Sequence, residues 1–312
     1  MDWGTENDWR VKEDGMFSLG RILLPIDFSE RCLGAARYAV PTLAKRFNSE
    51  VTVLHVLPPY IPVVVMGESV ITELDVDQSR DLMAARKDDA KRDLDSFLSE
   101  ELGNVSVKRV LMEGDPARKI VEYAHAENVG LIMMPTHGYG PFRRLLLGSV
   151  TSKVLHDADC PVWTGVHLEK ETSVESVALA HIVCAIDLGP HSAQTLSWAN
   201  RLATEFKARL TVVHVVASLD PRTEEYYFSP EWREYLMSKA REDIEGVQQS
   251  VGSHADVVLE MGDVAKSVSA SPNRLKADLL VIGRGAAAGG SGRFRTNAYA
   301  IIRQSPCPVV SV

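Results

Sequence analysis

The sequence predicts an α/β protein built from two tandem, doubly wound domains, each with a five-stranded parallel sheet. The first observation is the length of 312 residues, which is twice a common domain size. The second is an internal repeat, because short apolar segments recur in the same order in both halves. The third is that these segments are continuous apolar runs, which are typical of parallel strands covered on both faces.

The repeat has five landmarks, and each marks a predicted short buried strand. Five similar segments in one order are poorly explained by chance, so duplication of one domain is the interpretation that we adopt. The pairs are Arg21–Asp27 with His181–Asp187, Val51–Val56 with Leu210–Val215, Glu113–Asp115 with Met261–Asp263, Leu131–Met134 with Leu279–Ile282, and Cys160–Val162 with Cys307–Val309.

The segments between these strands have apolar residues at helical spacing and are therefore predicted to be helices. Asp115 is predicted to cap one helix, with Pro116 at its first position. Right-handed crossovers between the strands then give an open parallel sheet. The predicted helices are Ser29–Phe47, Ser79–Leu102, Pro116–Asn128 and Ser149–Asp157 in the first half, and Ser192–Phe206, roughly Glu231–Val251, and Asn297–Gln304 in the second. The predicted boundaries are an extension (1–19), domain 1 (20–166), a linker (167–179) and domain 2 (180–312).

Composition argues against several classes of protein. A formal net charge of −8 is unlike that of a dedicated nucleic-acid binder, which usually carries a basic surplus. No apolar run reaches the ~20 residues that span a bilayer, and the acidic start of the chain does not resemble a secretory signal. The four cysteines form no C-x-x-C pair and are expected to be reduced, buried thiols. We therefore expect a cytoplasmic protein with neither a nucleic-acid nor a membrane partner.

Several polar and glycine-containing segments follow the strands of the first half, where ligands bind in such sheets. Gly148 and Ser149 open the last helix, whose free N–H groups and positive dipole end suit a phosphate. Gly148 allows close approach of the backbone, and the hydroxyls of Ser149 and Thr151 are expected to donate further hydrogen bonds. Asp27, at the end of the first strand, could accept from a ribose hydroxyl or help to hold a divalent cation.

The predicted nucleotide site also includes the segment after the fourth strand and the main chain around Val56, which could pair with an adenine edge. His137 is weighed as a phosphate or base contact, or as a solvent-facing residue. The predicted site residues are Pro25, Ile26, Asp27, Val56, Met134, Pro135, Thr136, His137, Gly138, Gly148, Ser149, Val150 and Thr151.

These motifs resemble the universal stress protein family. ATP-binding members carry Gly, two residues, Gly, nine residues, then Gly followed by Ser or Thr; this chain has Pro135 at the first position, then Gly138 and Gly148-Ser149. The resemblance covers 20–166 and 180–312 and implies the adenine nucleotide alpha hydrolase-like fold. It also implies an ATP-binding stress-response regulator or sensor, with Mg²⁺ reaching Asp27 through the nucleotide. Final strands pair domains in this family, so an intrachain pseudo-dimer and further homo-oligomerisation are expected.

The second half matches the pattern less well. Arg295-Thr296 stands where the first half has Gly148-Ser149, so the close-approach glycine is missing. Nucleotide is therefore expected mainly in the first half. The candidate second site consists of Ala185, Asp187, Val215, Gly283, Arg284 and Thr296, with Arg284 as a phosphate contact.

Two other functions stay open at this point. One is an interaction or scaffold protein of the same fold that has lost nucleotide binding, which Pro135 and the altered second loop would favour. The other is an adenylating or pyrophosphatase-type enzyme, but such enzymes use a glycine-containing loop after the first strand, and Asp27–Glu30 contains no glycine. No dedicated general base and no G-x-S-x-G elbow is evident, so slow ATP hydrolysis is the most that is expected.

Overall fold

The computed structural model describes residues 19–59, 64–66, 69–71, 76–136, 147–164, 179–217, 230–284 and 293–312. Both halves have the predicted α/β architecture. The first half contains β1 (Arg21–Ile26), α1 (Glu30–Tyr38), α2 (Val40–Phe47), β2 (Glu50–Leu57), β3 (Val64–Met66), β4 (Ser69–Ile71), α3 (Val76–Ser96), β5 (Val107–Glu113), α4 (Pro116–Ala126), β6 (Leu131–Met133), α5 (Ser149–Asp157) and β7 (Val162–Thr164).

The second half repeats this order without the small β3–β4 hairpin among its described residues. It contains β8 (His181–Ala185), α6 (Ser192–Phe206), β9 (Arg209–Ala217), α7 (Pro230–Val251), β10 (Asp256–Gly262), α8 (Val264–Leu275), β11 (Leu279–Ile282), α9 (Arg293–Gln304) and β12 (Val309–Ser311).

Each half forms a five-stranded parallel sheet, and the two sheets join into one of ten strands. The order is β5-β2-β1-β6-β7 in the first half, followed by β12-β11-β8-β9-β10 in the second. The junction is the antiparallel pair of β7 and β12, in which Trp163 lies opposite Val310. The predicted fold class and the predicted intrachain pairing of the final strands are both confirmed.

The core lies in two layers, one on each face of the sheet. Alternate residues of β1 serve the two layers, because Ile22 and Leu24 belong to one cluster and Leu23 to the other. Each layer runs across both halves; Trp163 and Trp198, for example, belong to the same layer. The strands are therefore apolar on both faces, which is why they read as continuous apolar runs in the sequence.

Several predicted elements differ from the structure. The helix predicted over Ser79–Leu102 ends at Ser96, and the one predicted near Asn297–Gln304 begins at Arg293. The helix predicted over Ser29–Phe47 is two helices, α1 and α2, that break at Ala39. Pro41 lies in the first turn of α2, and it has no N–H to continue the hydrogen-bond ladder of α1. The β3–β4 hairpin was not predicted, because three-residue strands leave too little periodicity to detect.

The predicted cap of α4 is confirmed. The Asp115 side chain accepts a hydrogen bond from the Arg118 N–H at 2.8 Å, and Pro116 occupies the first turn. Asp263 makes the same bond with the Lys266 N–H at 2.8 Å in the second half. These caps fix the residues at which α4 and α8 begin, directly after β5 and β10.

Within the described ranges, no helix combines the length and the apolar character that crossing a membrane requires.

Replacing Trp163 with alanine should destabilise the protein severely. Its side chain is fully buried at the β7–β12 junction, so the truncation should lower the free energy of unfolding by about 3–5 kcal/mol. Trp232→Ala is the control, because Trp232 is 46% exposed and its loss should cost less than about 1 kcal/mol. Urea denaturation followed by circular dichroism measures both. Similar losses in the two variants would contradict the central role of the junction.

Candidate functional site

A cavity of about 390 Å³ lies at the carboxyl ends of β1, β2 and β6 in the first half. This volume falls within the range of about 300–1,000 Å³ that ligand pockets usually show. Most of the predicted site residues converge here although they come from distant parts of the chain. Those that line the cavity are Pro25, Ile26, Asp27, Val56, Met134, Pro135, Gly148, Ser149, Val150 and Thr151.

The other three predicted residues are placed differently. Thr136 is buried, and its carbonyl accepts a hydrogen bond from the Gly148 N–H at 2.9 Å, which fixes the backbone where α5 begins. His137 and Gly138 lie outside the described residues.

The first turn of α5 supplies the polar end of the cavity. The hydrogen bond from the Ser152 N–H to the Gly148 carbonyl, at 2.8 Å, is the first of the helix. The N–H groups of Ser149, Val150 and Thr151 precede it and therefore have no intrahelical partner. Gly148, at the N-cap, has no side chain with which to cap them. Three backbone donors and the positive end of the helix dipole thus lie at the cavity wall, as an anion requires.

The Thr151 hydroxyl is not available in the predicted way. It is buried and donates to the Pro135 carbonyl at 3.1 Å, so it ties α5 to the segment after β6. This contact corrects the expectation that the hydroxyl would donate to a ligand; Thr151 contributes its N–H instead. The hydroxyl of Ser149 remains at an exposed position at the cavity.

The Asp27 carboxylate is held in place through one of its oxygens. Oδ1 accepts from the Ser29 N–H at 3.1 Å, the Ser29 hydroxyl at 2.6 Å and the Cys32 thiol at 3.2 Å. These three bonds leave Oδ2 for a ligand in the cavity. Phe28, directly after Asp27, has a left-handed φ of 60°, which costs a non-glycine residue roughly 1–2 kcal/mol. The chain accepts this strain where it leaves the strand and turns past the carboxylate.

The carbonyl of Val56 faces the cavity because β2 extends beyond β1. Ile26 is the last residue of β1 that pairs with β2, and it lies opposite His55. The Leu57 carbonyl accepts from the Gly114 N–H at 3.0 Å on the β5 side. Backbone groups of neighbouring residues in a strand point to opposite sides, so the carbonyl of Val56 points past the end of β1.

Sequence reasoning missed six lining residues: Cys32, Leu54, His55, Pro58, Pro116 and Ile120. The Nδ1–H of His55 donates to the Ile26 carbonyl at 3.0 Å, and its ring lies against the ring of Phe28. Burial and the neighbouring Asp27 raise the pKa of Cys32 to about 12. Pro116 and Ile120 could have been predicted from the sequence, because they belong to the capped helix that begins directly after Gly114 and Asp115.

A second cavity of about 520 Å³ occupies the equivalent place in the second half. The predicted residues Ala185, Asp187, Val215 and Gly283 line it. Asp187 repeats the arrangement of Asp27, because its Oδ1 accepts from the Gly189 N–H at 2.9 Å and from the Ser192 hydroxyl at 3.1 Å. Leu188 repeats the left-handed φ of 60°. The strand-end carboxylate is therefore built in the same way twice.

The phosphate end of the second cavity differs from the first. Arg295-Thr296 aligns with Gly148-Ser149, but α9 begins at Arg293, three residues before the position equivalent to the start of α5. Its unpaired N–H groups are therefore displaced by nearly one helical turn. The side chain of Thr296 lies outside the described residues. Among the described residues, no three His, Cys, Asp or Glu side chains form a metal-binding cluster in either half.

Arg284 was predicted as a phosphate contact, and the structure places its guanidinium elsewhere. Nη2 donates to the Cys160 carbonyl at 2.8 Å, and Nη1 donates to the Ala158 carbonyl. Both acceptors belong to the first half. The physical reason is that the turn after α5 presents two neighbouring carbonyls, and a planar guanidinium can donate to both.

Comparison with known proteins shows the same duplication as the fold. The model of the universal stress protein family matches residues 19–164 and again 179–312. The chain belongs to this family. A universal stress protein of Methanocaldococcus jannaschii is 33% identical over 145 residues, which are 46% of this chain and 79% of that protein. A second one from the same organism is 30% identical over 150 residues, 46% of this chain and 91% of that protein.

A solved structure also resembles the whole chain. The crystal structure of a universal stress protein from Archaeoglobus fulgidus aligns with a TM-score of 0.63 and 22% identity, covering 95% of this chain and 97% of that one. At this identity the likeness supports the fold alone. Both halves of the present chain are therefore universal stress protein domains in tandem.

The thiols of the folded protein should be nearly unreactive at pH 8. All four cysteines are buried, and a pKa of about 12 leaves Cys32 roughly one part in 10⁴ as thiolate, the reactive form. We expect the folded chain to react slowly with Ellman's reagent, whereas the chain unfolded in urea should titrate all 4 thiols rapidly. Rapid reaction of Cys32 in the folded protein, located by peptide mapping, would contradict the buried placement beside Asp27.

Proposed function

We propose that this chain is an ATP-binding regulator or sensor of a stress response that acts in the cytoplasm, with nucleotide held mainly by the first half. The observation that carries the proposal is the convergence of three groups on one cavity: the open first turn of α5, the anchored carboxylate of Asp27, and the carbonyl of Val56. These groups match the three chemically different parts of an adenine nucleotide, namely phosphates, ribose and base.

The fit can be followed from one end of the cavity to the other. The N–H groups of Ser149, Val150 and Thr151 would bind phosphate oxygens, because they have no partner within the helix and lie at its positive end. Oδ2 of Asp27 would accept from a ribose hydroxyl. Apolar walls next to Val56 would cover the base, whose amino group could donate to the Val56 carbonyl. Bound ATP would supply the phosphate charge that this helix end favours.

Magnesium would enter with the nucleotide. Mg²⁺ is usually held by one or two carboxylates together with phosphate oxygens. Asp27 is the carboxylate that lines the first cavity among the described residues, and it is the group that we propose for this role.

The groups at the cavity favour holding ATP over rapid turnover. The high pKa of Cys32 keeps its thiol protonated, so it cannot act as a base. Oδ1 of Asp27 already accepts three hydrogen bonds from the protein, so it is engaged as an anchor. We therefore propose at most slow hydrolysis, a property that suits a sensor whose signal is occupancy.

The alternative is an interaction or scaffold protein in which the second half serves domain pairing. The displaced start of α9 and the engagement of Arg284 at the junction favour this role for the second half. Nucleotide binding there would need other donors for the phosphates. A stoichiometry of one nucleotide per chain separates the proposal from binding by both halves, and no binding at all would favour the alternative.

Gly148→Arg should remove ATP binding by the first half. The change places in α5 the residue that the second half carries at position 295, and a long side chain at the cavity wall competes with phosphate for the helix end. Loss of hydrogen bonds to a charged group predicts an affinity roughly 10- to 100-fold lower by calorimetry.

The matched control for this change is Gly246→Arg. Gly246 lies on the exposed surface of α7, where an added Cβ would meet no atom within 4 Å. Its ATP affinity should equal that of the wild type. Equal affinities for Gly148→Arg and the wild type would remove α5 from the site, and a wild type that binds no adenine nucleotide would refute the proposed function.

Asp27→Asn should weaken ATP binding in the presence of Mg²⁺ by roughly fivefold and should matter less when EDTA removes the metal. The amide keeps the size of the side chain but loses the negative charge that would face a cation. Asp187→Asn is the matched variant, because Asp187 also accepts from the N–H two residues later and from a side chain five residues later. If Asp187→Asn lowered the affinity as much as Asp27→Asn, the assignment of nucleotide mainly to the first half would be wrong.

A further inference from the structure

The carboxyl-terminal end of α5 is held by a side chain from the other half of the molecule. Arg284 directly follows Gly283 at the end of β11, and its guanidinium donates to the carbonyls of Ala158 and Cys160. Its own N–H donates to the Val312 carbonyl at 3.0 Å, which fixes its backbone to the end of β12. The guanidinium is therefore anchored in the second half and bonded to the first.

In the second half a local side chain serves the equivalent carbonyl. There the Ser305 hydroxyl donates to the Cys307 carbonyl at 2.8 Å. Ser305 and Cys307 align with Ala158 and Cys160, and alanine has no hydroxyl to donate. The same turn is thus closed by a local donor in one half and by a cross-domain arginine in the other. This difference makes the end of α5 depend on the second half.

A second contact holds α5 from the same side. The Tyr299 hydroxyl, on α9, donates to the Ser152 carbonyl at 3.0 Å. Helix α5 has only nine residues, and helices this short take their stability from tertiary contacts rather than from their own hydrogen bonds. Its first turn lines the cavity, while Ser152, its C-cap Ala158 and Cys160 just beyond it bond to the second half. A shift at one end of so short a rigid element is transmitted to the other.

We propose that Arg284 is a positioning residue for the phosphate end of the first-half cavity: it fixes α5 so that the N–H groups of Ser149, Val150 and Thr151 meet the phosphates. The inference rests on the proposed function, because it assigns a task to Arg284 only if nucleotide binds there. It adds that the site of one domain is completed by the other.

The test compares Arg284→Gln with the wild type in the full-length chain, using ATP and adenosine as the two ligands in calorimetry. Loss of the cross-domain hydrogen bonds should lower the affinity for ATP about tenfold. Adenosine has no phosphates and should bind with unchanged affinity. A merely structural role would lower both affinities together, and that result, or an unchanged affinity for ATP, would overturn the inference.

A rescue variant makes the test sharper. Ala158→Ser copies Ser305 into the first half and gives the turn its own donor for the Cys160 carbonyl. Adding it to Arg284→Gln should recover much of the lost ATP affinity, and a failure to recover any would count against the proposal. Arg274→Gln is the control, because Arg274 bonds Glu260 on the surface of the second half, away from α5. It should bind ATP like the wild type.

Two further measurements keep the outcomes distinct. Amide exchange of the ligand-free protein should be faster in α5 of Arg284→Gln and unchanged in α4; equal exchange in α5 would overturn the inference without reference to nucleotide. Should Arg284→Gln fail to melt cooperatively, Arg284→Lys replaces it, because the charge stays and only the two-pronged donor is lost. A wild type that bound neither ligand would overturn the proposed function along with the inference, whereas normal wild-type binding with an unaffected variant would overturn the inference alone.

Discussion

The antiparallel pairing of β7 with β12 is the constraint on which the rest of the structure depends. Each strand is only three residues long, yet the pair closes the edge that each five-stranded sheet would otherwise expose. Because the sheets join there, both hydrophobic layers run through the junction without a break. The pairing also brings α5 and α9 side by side, so that Tyr299 reaches Ser152, the residue at its own equivalent position. Without the junction, Arg284 would have no carbonyls within reach.

Most of the fold could be predicted because the buried strands carry their signal locally. A strand covered on both faces must be apolar throughout, and the duplication presents each such run twice. The break at Ala39 was also encoded locally, by Pro41, but the apolar spacing continues across it and hides the interruption. What could not be predicted depends on contacts between distant segments. The Arg284 side chain points toward two carbonyls that are 124 and 126 residues away.

The same distinction applies to the site. Backbone features such as the helix start at Ser149 follow from glycine and capping patterns, and they converge on the cavity as expected. Side-chain roles were harder, because a hydroxyl bonds to whichever acceptor packing brings near. Thr151 shows this, since its hydroxyl meets the Pro135 carbonyl across the segment between β6 and α5. Cys32 and Ser192 show that different side chains can also make the same contact. They occupy equivalent positions, and both donate to the strand-end carboxylate of their half.

The two halves show how a duplicated domain can diverge in one part while keeping another. The strand ends and their carboxylates are the same in both, down to the left-handed residue that follows each Asp. The helix ends are not: α9 starts nearly one turn earlier than α5, which displaces the N–H groups of its first turn, and the turn after α9 has a local donor in Ser305. The first three N–H groups of α5 have no partner within the helix, so they add nothing to its own hydrogen-bond ladder. Arg284 bonds the chain just beyond the opposite end of α5, so under the proposed function the second half would stabilise this helix at the end where no ligand binds.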